Sequence, residues 1–219
     1  MAQAEVPVWI TEKNTRKKVA NDAQKKALDF LVPEYGCGGK PKNSISASEY
    51  DELVGKMVAD FNPYQRAIDK IGLDEEELQE IPPVSFSGYE DESFQQFYQF
   101  GTDGLIRTDV YSVTYILFSA TQVYLYKLVF NTTKNDKKEQ TEEYFYKDIT
   151  NFSTTSDTKA SVVTTPGSGC KKEKNEERST EVQKFALIVP GDKFYCATTG
   201  DIEQSVKAMK AKLREKKNG

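Results

Sequence analysis

The stretch YSVTYILFSATQVYLYKLVFNTTKNDKKEQTEEYFYKDITNFS, residues 111–153, decides the fold of this chain. It contains two runs of apolar and aromatic residues, 111–119 and 123–130, joined by the short link Ala120-Thr121-Gln122. Two runs of this composition with so short a link predict an antiparallel pair of strands. The charged segment Lys134–Thr141 predicts a hairpin tip, after which a third strand returns.

Neither of the two long strands alternates cleanly between apolar and polar residues. This pattern favours a sheet that is at least partly covered on both faces, with the N-terminal helices as the nearest cover. The alternative is that one face is an exposed aromatic platform for a protein or peptide partner. The candidate partner-binding residues on that face are Tyr111, Tyr115, Tyr124 and Tyr126.

Further strands are expected on both sides of this central ribbon. They are predicted at Val84–Tyr89, Leu105–Asp109 (continuous with the next strand in one interpretation), Glu142–Ile149, Asn151–Ser156, Ser161–Thr165, Val182–Pro190 and Lys193–Ala197. The segment Pro166–Arg178 is rich in glycine, lysine and glutamate and lacks periodicity, which predicts a mobile loop.

The first third of the chain has helical periodicity. Helices are predicted at 11–32 with Thr11 as cap, 46–60 with a Ser46/Glu49 capping box, 63–71, and 74–80 with Asp74 as cap, while Glu34–Ser44 is predicted as a loop. At Pro82-Pro83 the period changes from helical to strand-like. We therefore expect a helical N-terminal region at 1–83 and a β domain at 84–219.

The chain is predicted to close with a helix over Asp201–Lys217. Ile202, Val206, Met209 and Leu213 form a narrow apolar stripe, and basic residues occupy much of the rest. Cations near a helix C-terminus are stabilising on their own account, so a solvated face is the simplest interpretation. The alternative is attraction to an acidic partner or an anionic membrane surface. The residues for that role are Lys207, Lys210, Lys212 and Arg214.

The composition excludes several classes of function. The net charge of −4 gives no support for a nucleic-acid partner, and no apolar run has the length of a membrane span. The N-terminus lacks the pattern of a signal peptide, and three widely spaced cysteines do not form a disulfide framework. A cytoplasmic location is therefore predicted.

The chain contains no histidine, which removes most familiar catalytic and metal-binding constellations. Gly36-Cys37-Gly38-Gly39-Lys40 lacks the spacing and the following Ser or Thr of a phosphate-binding loop. We expect no catalytic residue, no metal site and no cofactor. An enzyme that works through carboxylates stays as an alternative, because general acid and base pairs are defined by geometry that spacing does not show.

About seven strands after Val84 followed by one amphipathic helix resemble the pleckstrin-homology (PH) superfold. The aromatic run Gln122–Phe130 and the segment YFYKDITNFS at Tyr144–Ser153 are similar to bacterial PH-like domains. The resemblance covers about residues 84–217. It implies an α+β fold: a helical N-terminal region, then a seven-stranded antiparallel bent sheet or barrel capped by the C-terminal helix.

The region that corresponds to the first PH hairpin differs from phosphoinositide-binding members, which are basic there. Glu90–Arg107 is acidic, with Arg107 as its basic residue, so recognition of inositol phosphates is not expected. The resemblance leaves a non-enzymatic interaction module that binds a protein or peptide. Peripheral binding to anionic membranes through the basic helix is the first alternative, and a carboxylate-based enzyme is the second.

Overall fold

The computed structural model describes residues 16, 19, 21–35, 41–74, 78, 82–90, 97–165, 174–198 and 202–218. Its helices are α1 (Asp22–Leu31), α2 (Ala47–Phe61), α3 (Pro63–Ile71) and α4 (Glu203–Asn218). Its strands are β1 (Glu34–Tyr35), β2 (Pro41–Lys42), β3 (Val84–Tyr89), β4 (Tyr98–Phe100), β5 (Ile106–Thr108), β6 (Val110–Phe118), β7 (Gln122–Asn131), β8 (Lys137–Phe145), β9 (Asn151–Thr165), β10 (Lys174–Val189) and β11 (Asp192–Thr198).

The central sheet has four antiparallel strands in the order β3-β6-β7-β8. The predicted hairpin of β6 and β7 is confirmed, with Phe118 opposite Val123 at its closed end. The Ser119 hydroxyl accepts hydrogen bonds from the backbone N–H groups of Thr121 and Gln122, which fixes the short link. Strand β3 has the predicted bounds.

The second sheet has the order β11-β10-β9, again antiparallel. The predicted hairpin around Pro190-Gly191 is confirmed, and Gly191 has a φ of 88°, a left-handed conformation that favours glycine. The two sheets approach each other closely where β3 meets β11. A Cβ atom on Gly88 would lie 3.0 Å from the backbone nitrogen of Thr198, so a larger residue would force the strands apart.

Three strand predictions are corrected. The hairpin tip predicted at Lys134–Thr141 is too long, because β8 already begins at Lys137. The two short strands predicted at Asn151–Ser156 and Ser161–Thr165 are one strand, β9. The last part of the mobile loop predicted at Pro166–Arg178 belongs to β10, while 166–173 lie outside the described residues. In each case a paired ladder forms in a segment that lacks a clear apolar and polar alternation.

A hydrophobic core fills the space between the two sheets. Its aromatic centre is Phe185, which stacks on Phe86 with ring centroids 4.6 Å apart and on Phe152 at 5.8 Å. Helix α4 closes this core with the predicted apolar stripe, and Ile202, Val206, Met209 and Leu213 are all buried. The predicted cap Asp201 lies outside the described residues. This face of the central sheet is thus covered by the second sheet and α4.

The opposite face of the central sheet is covered by the N-terminal helices. Tyr50 and Val54 of α2, Ala67 of α3, and Leu28 of α1 belong to one buried cluster with side chains of β6 and β7. The prediction that both faces are covered is therefore confirmed. The division into a helical N-terminal region at 1–83 and a β domain at 84–219 stays a prediction.

Within the N-terminal region, α2 and α3 have nearly the predicted bounds and the Ser46/Glu49 capping box is present. The single helix predicted at 11–32 is wrong, because Val19 is non-helical and the Asn21 side chain caps a new helix at Asp22. The predicted loop Glu34–Ser44 contains the short pair β1–β2, with 36–40 outside the described residues. The helix predicted at 74–80 lies mostly outside the described residues, and Thr11 lies outside them as well.

The mixed helix and antiparallel sheet of the predicted fold class is confirmed, together with the C-terminal helix. The described strands lie in separate open sheets, so a closed barrel is not present in the described part of the chain. Strands β4 and β5 form a small sheet of their own. The predicted strand at Leu105–Asp109 is not continuous with β6, because Asp109 leaves the ladder and binds its neighbours through side-chain and backbone oxygens.

Candidate functional site

The four tyrosines predicted to bind a partner do share one face of the central sheet. Tyr126 is fully buried and Tyr124 nearly so, while Tyr111 and Tyr115 are half-buried beneath the helical layer. Tyr64 of α3 lies over Tyr115, with ring centroids 5.4 Å apart. Burial raises the pKa of Tyr126 to about 12, so its hydroxyl is uncharged at neutral pH. In this arrangement the helices occupy the surface that an aromatic platform would offer.

The basic residues of α4 lie on the sides of the helix that turn away from its buried stripe. Lys207 and Arg214 are exposed, whereas Lys210 and Lys212 are partly covered. Lys207 lies 3.6 Å from Glu203, and Lys212 donates a hydrogen bond to Glu215. The helix therefore offers basic residues interleaved with carboxylates.

Arg107 of β5 ties the helical layer to the β region through two carboxylates. Its guanidinium binds Asp51 of α2 in a bidentate pair at 2.7 and 2.8 Å, and it donates to Asp103 at 2.8 and 3.0 Å. The Arg107 side chain is 5% exposed. A Cβ atom on Gly101 would lie 2.6 Å from the guanidinium, so glycine leaves the space for this arginine. The hydrogen bond from Arg107 lowers the pKa of Asp103. We call Arg107, Asp51 and Asp103 the arginine clamp.

A second tie between the layers is a buried polar network around Tyr50 of α2. The Tyr50 hydroxyl donates to the Thr108 carbonyl at 2.9 Å and lies 2.9 Å from the Thr132 hydroxyl oxygen. Asp109 is fully buried and accepts from the Asn131 amide at 2.9 Å. Burial raises the pKa of Tyr50, so the tyrosine stays protonated and acts as a fixed donor.

A third group of polar side chains lies between the two sheets. Lys127 of β7 pairs with Glu90 at 2.8 Å and also donates to the Tyr195 carbonyl. Both charged side chains are almost completely buried, and Cys196 of β11 lies nearby. Burial raises the pKa of the Cys196 thiol to about 12, so the thiolate needed for nucleophilic attack is not formed at neutral pH. The acid, the amine and the thiol thus form one polar group inside the apolar contact between the sheets.

Glu139 of β8 forms ion pairs with three cationic side chains at the margin of the helical layer. Its carboxylate pairs with Arg66 at 3.1 Å and with Lys70, both from α3, and with Lys137 at 3.4 Å. The Glu139 side chain is 9% exposed. Its pKa is lowered, first by the hydrogen bond from Lys70. This group fastens α3 to the edge strand of the central sheet.

The sequence did not predict these polar groups, because each joins residues from distant segments. One signal was present: Lys127 interrupts the apolar run of β7. A charged residue inside a buried strand requires a paired partner. The identity of that partner, Glu90, depends on the β3–β6–β7 register and is not readable from spacing.

The outer edge of β9 differs from every surface described above. Within the described residues, β10 is the strand that neighbours β9, and the other side of β9 has no strand. Thr154, Thr155 and Thr158 are exposed. The charged residues of β9 are Asp157 and Lys159, and the strand contains no proline and no glycine. We call this side of the strand the β9 edge.

The β9–β10 ribbon also extends past its own sheet. Strand β11 pairs with Gln183–Val189 only, so Lys174–Val182 and the facing Asp157–Thr165 continue as a two-stranded ribbon. At about 3.4 Å per residue this extension is roughly 30 Å long. We call it the β9–β10 arm. In the described part of the chain, it is the longest stretch in which two paired strands have no third strand beside them.

Neither a metal centre nor a membrane helix is found among the residues that the structure describes. Their His, Cys, Asp and Glu side chains form no group of three or more that could hold a metal ion. None of the described helices combines the length and the apolar character needed to cross a membrane.

Comparisons with known proteins give no match: no family model, no curated protein and no solved structure is significantly similar to this chain.

Proposed function

We propose that this protein is a non-enzymatic interaction module that binds an extended segment of a protein or peptide by strand addition along the β9 edge. The observation that supports this proposal is the edge itself, which is fifteen residues long and nearly uncharged. Strand addition uses main-chain hydrogen bonds for affinity, and an unpaired strand edge presents those groups in a regular row.

The other edge strand of the main fold shows what a protected edge looks like. Strand β8 forms the outer side of the central sheet, and its charged residues are Lys137, Lys138, Glu139, Glu142 and Glu143. Charged side chains on an edge strand oppose pairing with another chain. The β9 edge has two charged residues in fifteen, Asp157 and Lys159, against five in nine for β8, so it is less protected, as expected of a surface that pairs.

The finer part of the proposal is a PH-like module. The order of elements supports it: a four-stranded meander (β3, β6, β7, β8), a three-stranded meander (β9, β10, β11) and a closing C-terminal helix. The close approach of β3 and β11 at Gly88 adds to that support. In this interpretation β4 and β5 are an insertion between the first two strands of the first meander.

The state of the polar groups also favours binding over catalysis. Arg107, Glu139 and Lys127 are each held by partners within the protein, and the Cys196 thiol is protonated at neutral pH. The two alternatives, membrane binding through α4 and a carboxylate-based enzyme, stay predictions, as does a cytoplasmic location.

A displayed library of random twelve-residue peptides tests the proposal. Peptides selected on the immobilised protein are measured by fluorescence anisotropy with wild-type protein. Each peptide is then N-methylated at odd or at even positions. Strand addition predicts that one set of methyl groups abolishes binding and the other leaves it nearly unchanged, because alternate N–H groups point toward the edge.

A protein variant supplies the second half of the test. Thr158→Pro lies in the middle of the β9 edge and should weaken peptide binding at least tenfold, since proline removes a donor and disturbs the ladder. Thr141→Pro, at an exposed threonine in the middle of β8, is the matched control and should leave binding intact. A monomeric protein to which no library peptide binds, or peptide binding that survives both N-methylation sets, overturns the proposal.

A further inference from the structure

We infer that the segment that occupies the β9 edge is the β9 strand of a second copy of this chain, in an antiparallel pair centred on Thr158. This inference rests on the proposed function and names its partner. It joins the two three-stranded sheets of a homodimer into one continuous sheet across a twofold axis. A twofold axis makes the interface self-complementary, since each strand supplies the surface that the other needs.

The charges of β9 fit this register. In an antiparallel pair centred on Thr158, residue 157 of one copy lies opposite residue 159 of the other. Asp157 therefore faces Lys159 of the second copy, and the same pair recurs on the other side of the axis. Residues directly opposite on one face of an antiparallel pair are close neighbours, and opposite charges there stabilise the pairing. The charged residues of this edge are thus matched, whereas a shift of two residues along the strand would leave them unmatched.

The central part of the strand is suited to such a contact. The register pairs Thr154 with Val162 and Thr155 with Ser161, so small and β-branched residues meet along the shared ladder. The side chains of Thr154, Thr155 and Thr158 are exposed. Phe152, by contrast, is fully buried in the core between the sheets, so the contact begins beyond the part of β9 that the core uses.

The β9–β10 arm gives a reason for the pairing. A two-stranded ribbon alone is marginally stable in water, and three or more strands are needed for independent stability. In this register residues 157–162 of each arm lie opposite residues 154–159 of the other copy, so each two-stranded arm gains a third strand from that copy's sheet. Each copy thereby stabilises the arm of the other copy. A short peptide ligand would stabilise only the arm to which it binds.

The first test is the mass of the full-length protein as a function of concentration, by sedimentation equilibrium. A dimer is expected for the wild type. Asp157→Lys places a lysine opposite Lys159, and Lys159→Asp places an aspartate opposite Asp157, so each single variant should raise the dimer dissociation constant roughly tenfold. The double variant Asp157→Lys/Lys159→Asp restores the opposite charges and should return to within about twofold of the wild type.

The second test fixes the register. Residue 158 lies opposite itself, at a Cα separation of about 4.5–5.5 Å that a disulfide can span. In a Cys37→Ser/Cys170→Ser background, Thr158→Cys should therefore form a covalent dimer under mild oxidation. Thr154→Cys is the matched control, since the two copies of residue 154 would be about 27 Å apart along the ladder. The control should stay uncrosslinked.

The outcomes separate this inference from the proposed function. The wild-type protein could be monomeric at every concentration and still bind peptides in a way that N-methylation abolishes. That result would overturn the proposal that a second copy is the partner and would leave strand addition in place. A dimer in which Thr158→Cys and Thr154→Cys crosslink equally, or in which the double charge variant is as weak as the single ones, overturns the proposed register. A wild-type protein that neither binds a peptide nor forms a dimer overturns both proposals.

Discussion

The two faces of the central sheet are covered in physically different ways. Toward the second sheet, the contact is a stack of phenylalanines around Phe185 with one buried ion pair. Toward the helices, the contact is rich in tyrosine and is bordered by the arginine clamp, the Tyr50 network and the Glu139 group. The first cover is held mainly by apolar burial, and the second combines burial with directional polar ties.

This difference predicts two levels of stability within one molecule. Apolar burial at the sandwich core depends little on pH, whereas ion pairs at a half-exposed margin depend on pH and are screened by salt. We therefore expect the helical layer to open at lower free energy than the sandwich, as a cooperative unit of its own. Three substitutions separate the two covers, from the largest expected effect to the smallest.

Phe185→Ala should have the largest effect. The side chain is fully buried and contacts two other aromatic rings, so its loss leaves a cavity and should lower the free energy of unfolding by about 3–5 kcal/mol. Urea denaturation followed by circular dichroism measures this. Phe145→Ala, at a phenylalanine that is 50% exposed, is the control and should cost less than about 1 kcal/mol. Equal losses for the two variants would contradict the assignment of the core.

Arg107→Met should loosen the helical layer more than the sandwich. Methionine replaces much of the apolar stem, but Asp51 and Asp103 lose their shared cation and are left close to each other. Both carboxylates are 43% exposed, so we expect a loss of about 2 kcal/mol rather than the larger cost of a fully buried charge.

Hydrogen exchange is the informative measurement for the arginine clamp. Protection in α2 should fall in Arg107→Met while protection in β6 and β7 is nearly retained. Arg214→Met, at an exposed arginine of α4, should change neither. A uniform loss of protection over helices and strands would show that the two covers open together.

Glu139→Gln should change the free energy of unfolding least of the three substitutions, and its effect should depend most clearly on pH. The cationic neighbours of Glu139 lower its pKa below the usual value of about 4.5, so the folded state favours the ionised form. The stabilisation is fully present above the unfolded pKa and is lost as the pH falls through the lower folded pKa. Glu139→Gln should therefore cost about 1 kcal/mol at pH 7, with a smaller difference from wild type at pH 3.

Glu143→Gln is the matched control for that pH series, because Glu143 is an exposed residue of the same strand. Thermal unfolding at pH 3, 5 and 7 compares the three proteins. A Glu139→Gln difference that is as large at pH 3 as at pH 7 would show that the effect comes from packing rather than from the charge.

The parts of the fold that could be predicted are those with strong local signals. The β6–β7 hairpin follows from its aromatic runs and short link, α2 from its capping box, and the buried stripe of α4 from helical spacing. The full lengths of β9 and β10 could not be predicted. Their outer halves consist mostly of Thr, Ser, Lys and Glu, and only the opposite strand makes them a ladder.

The polar ties were not predictable for a related reason. Asp51 and Arg107 lie in different secondary-structure elements, and their meeting depends on how α2 crosses the sheet. The candidate site, the β9 edge, could not be predicted from the sequence either. Among the described residues, no strand pairs with the outer side of β9, and this property depends on the strand order of the sheet rather than on any one stretch of sequence.

The close contact of β3 with β11 at Gly88 has a consequence for the order of assembly during synthesis. Apart from β3 and β6, which are separated by β4 and β5, neighbouring strands in each sheet follow one another closely along the chain, whereas this seam unites the first and the last strand of the sandwich. Contacts between such distant segments carry the largest loop-closure entropy and form late. On the ribosome, the sandwich cannot close until β11 has emerged. Until then its phenylalanine-lined core faces solvent, which makes the nascent chain a candidate for chaperone capture.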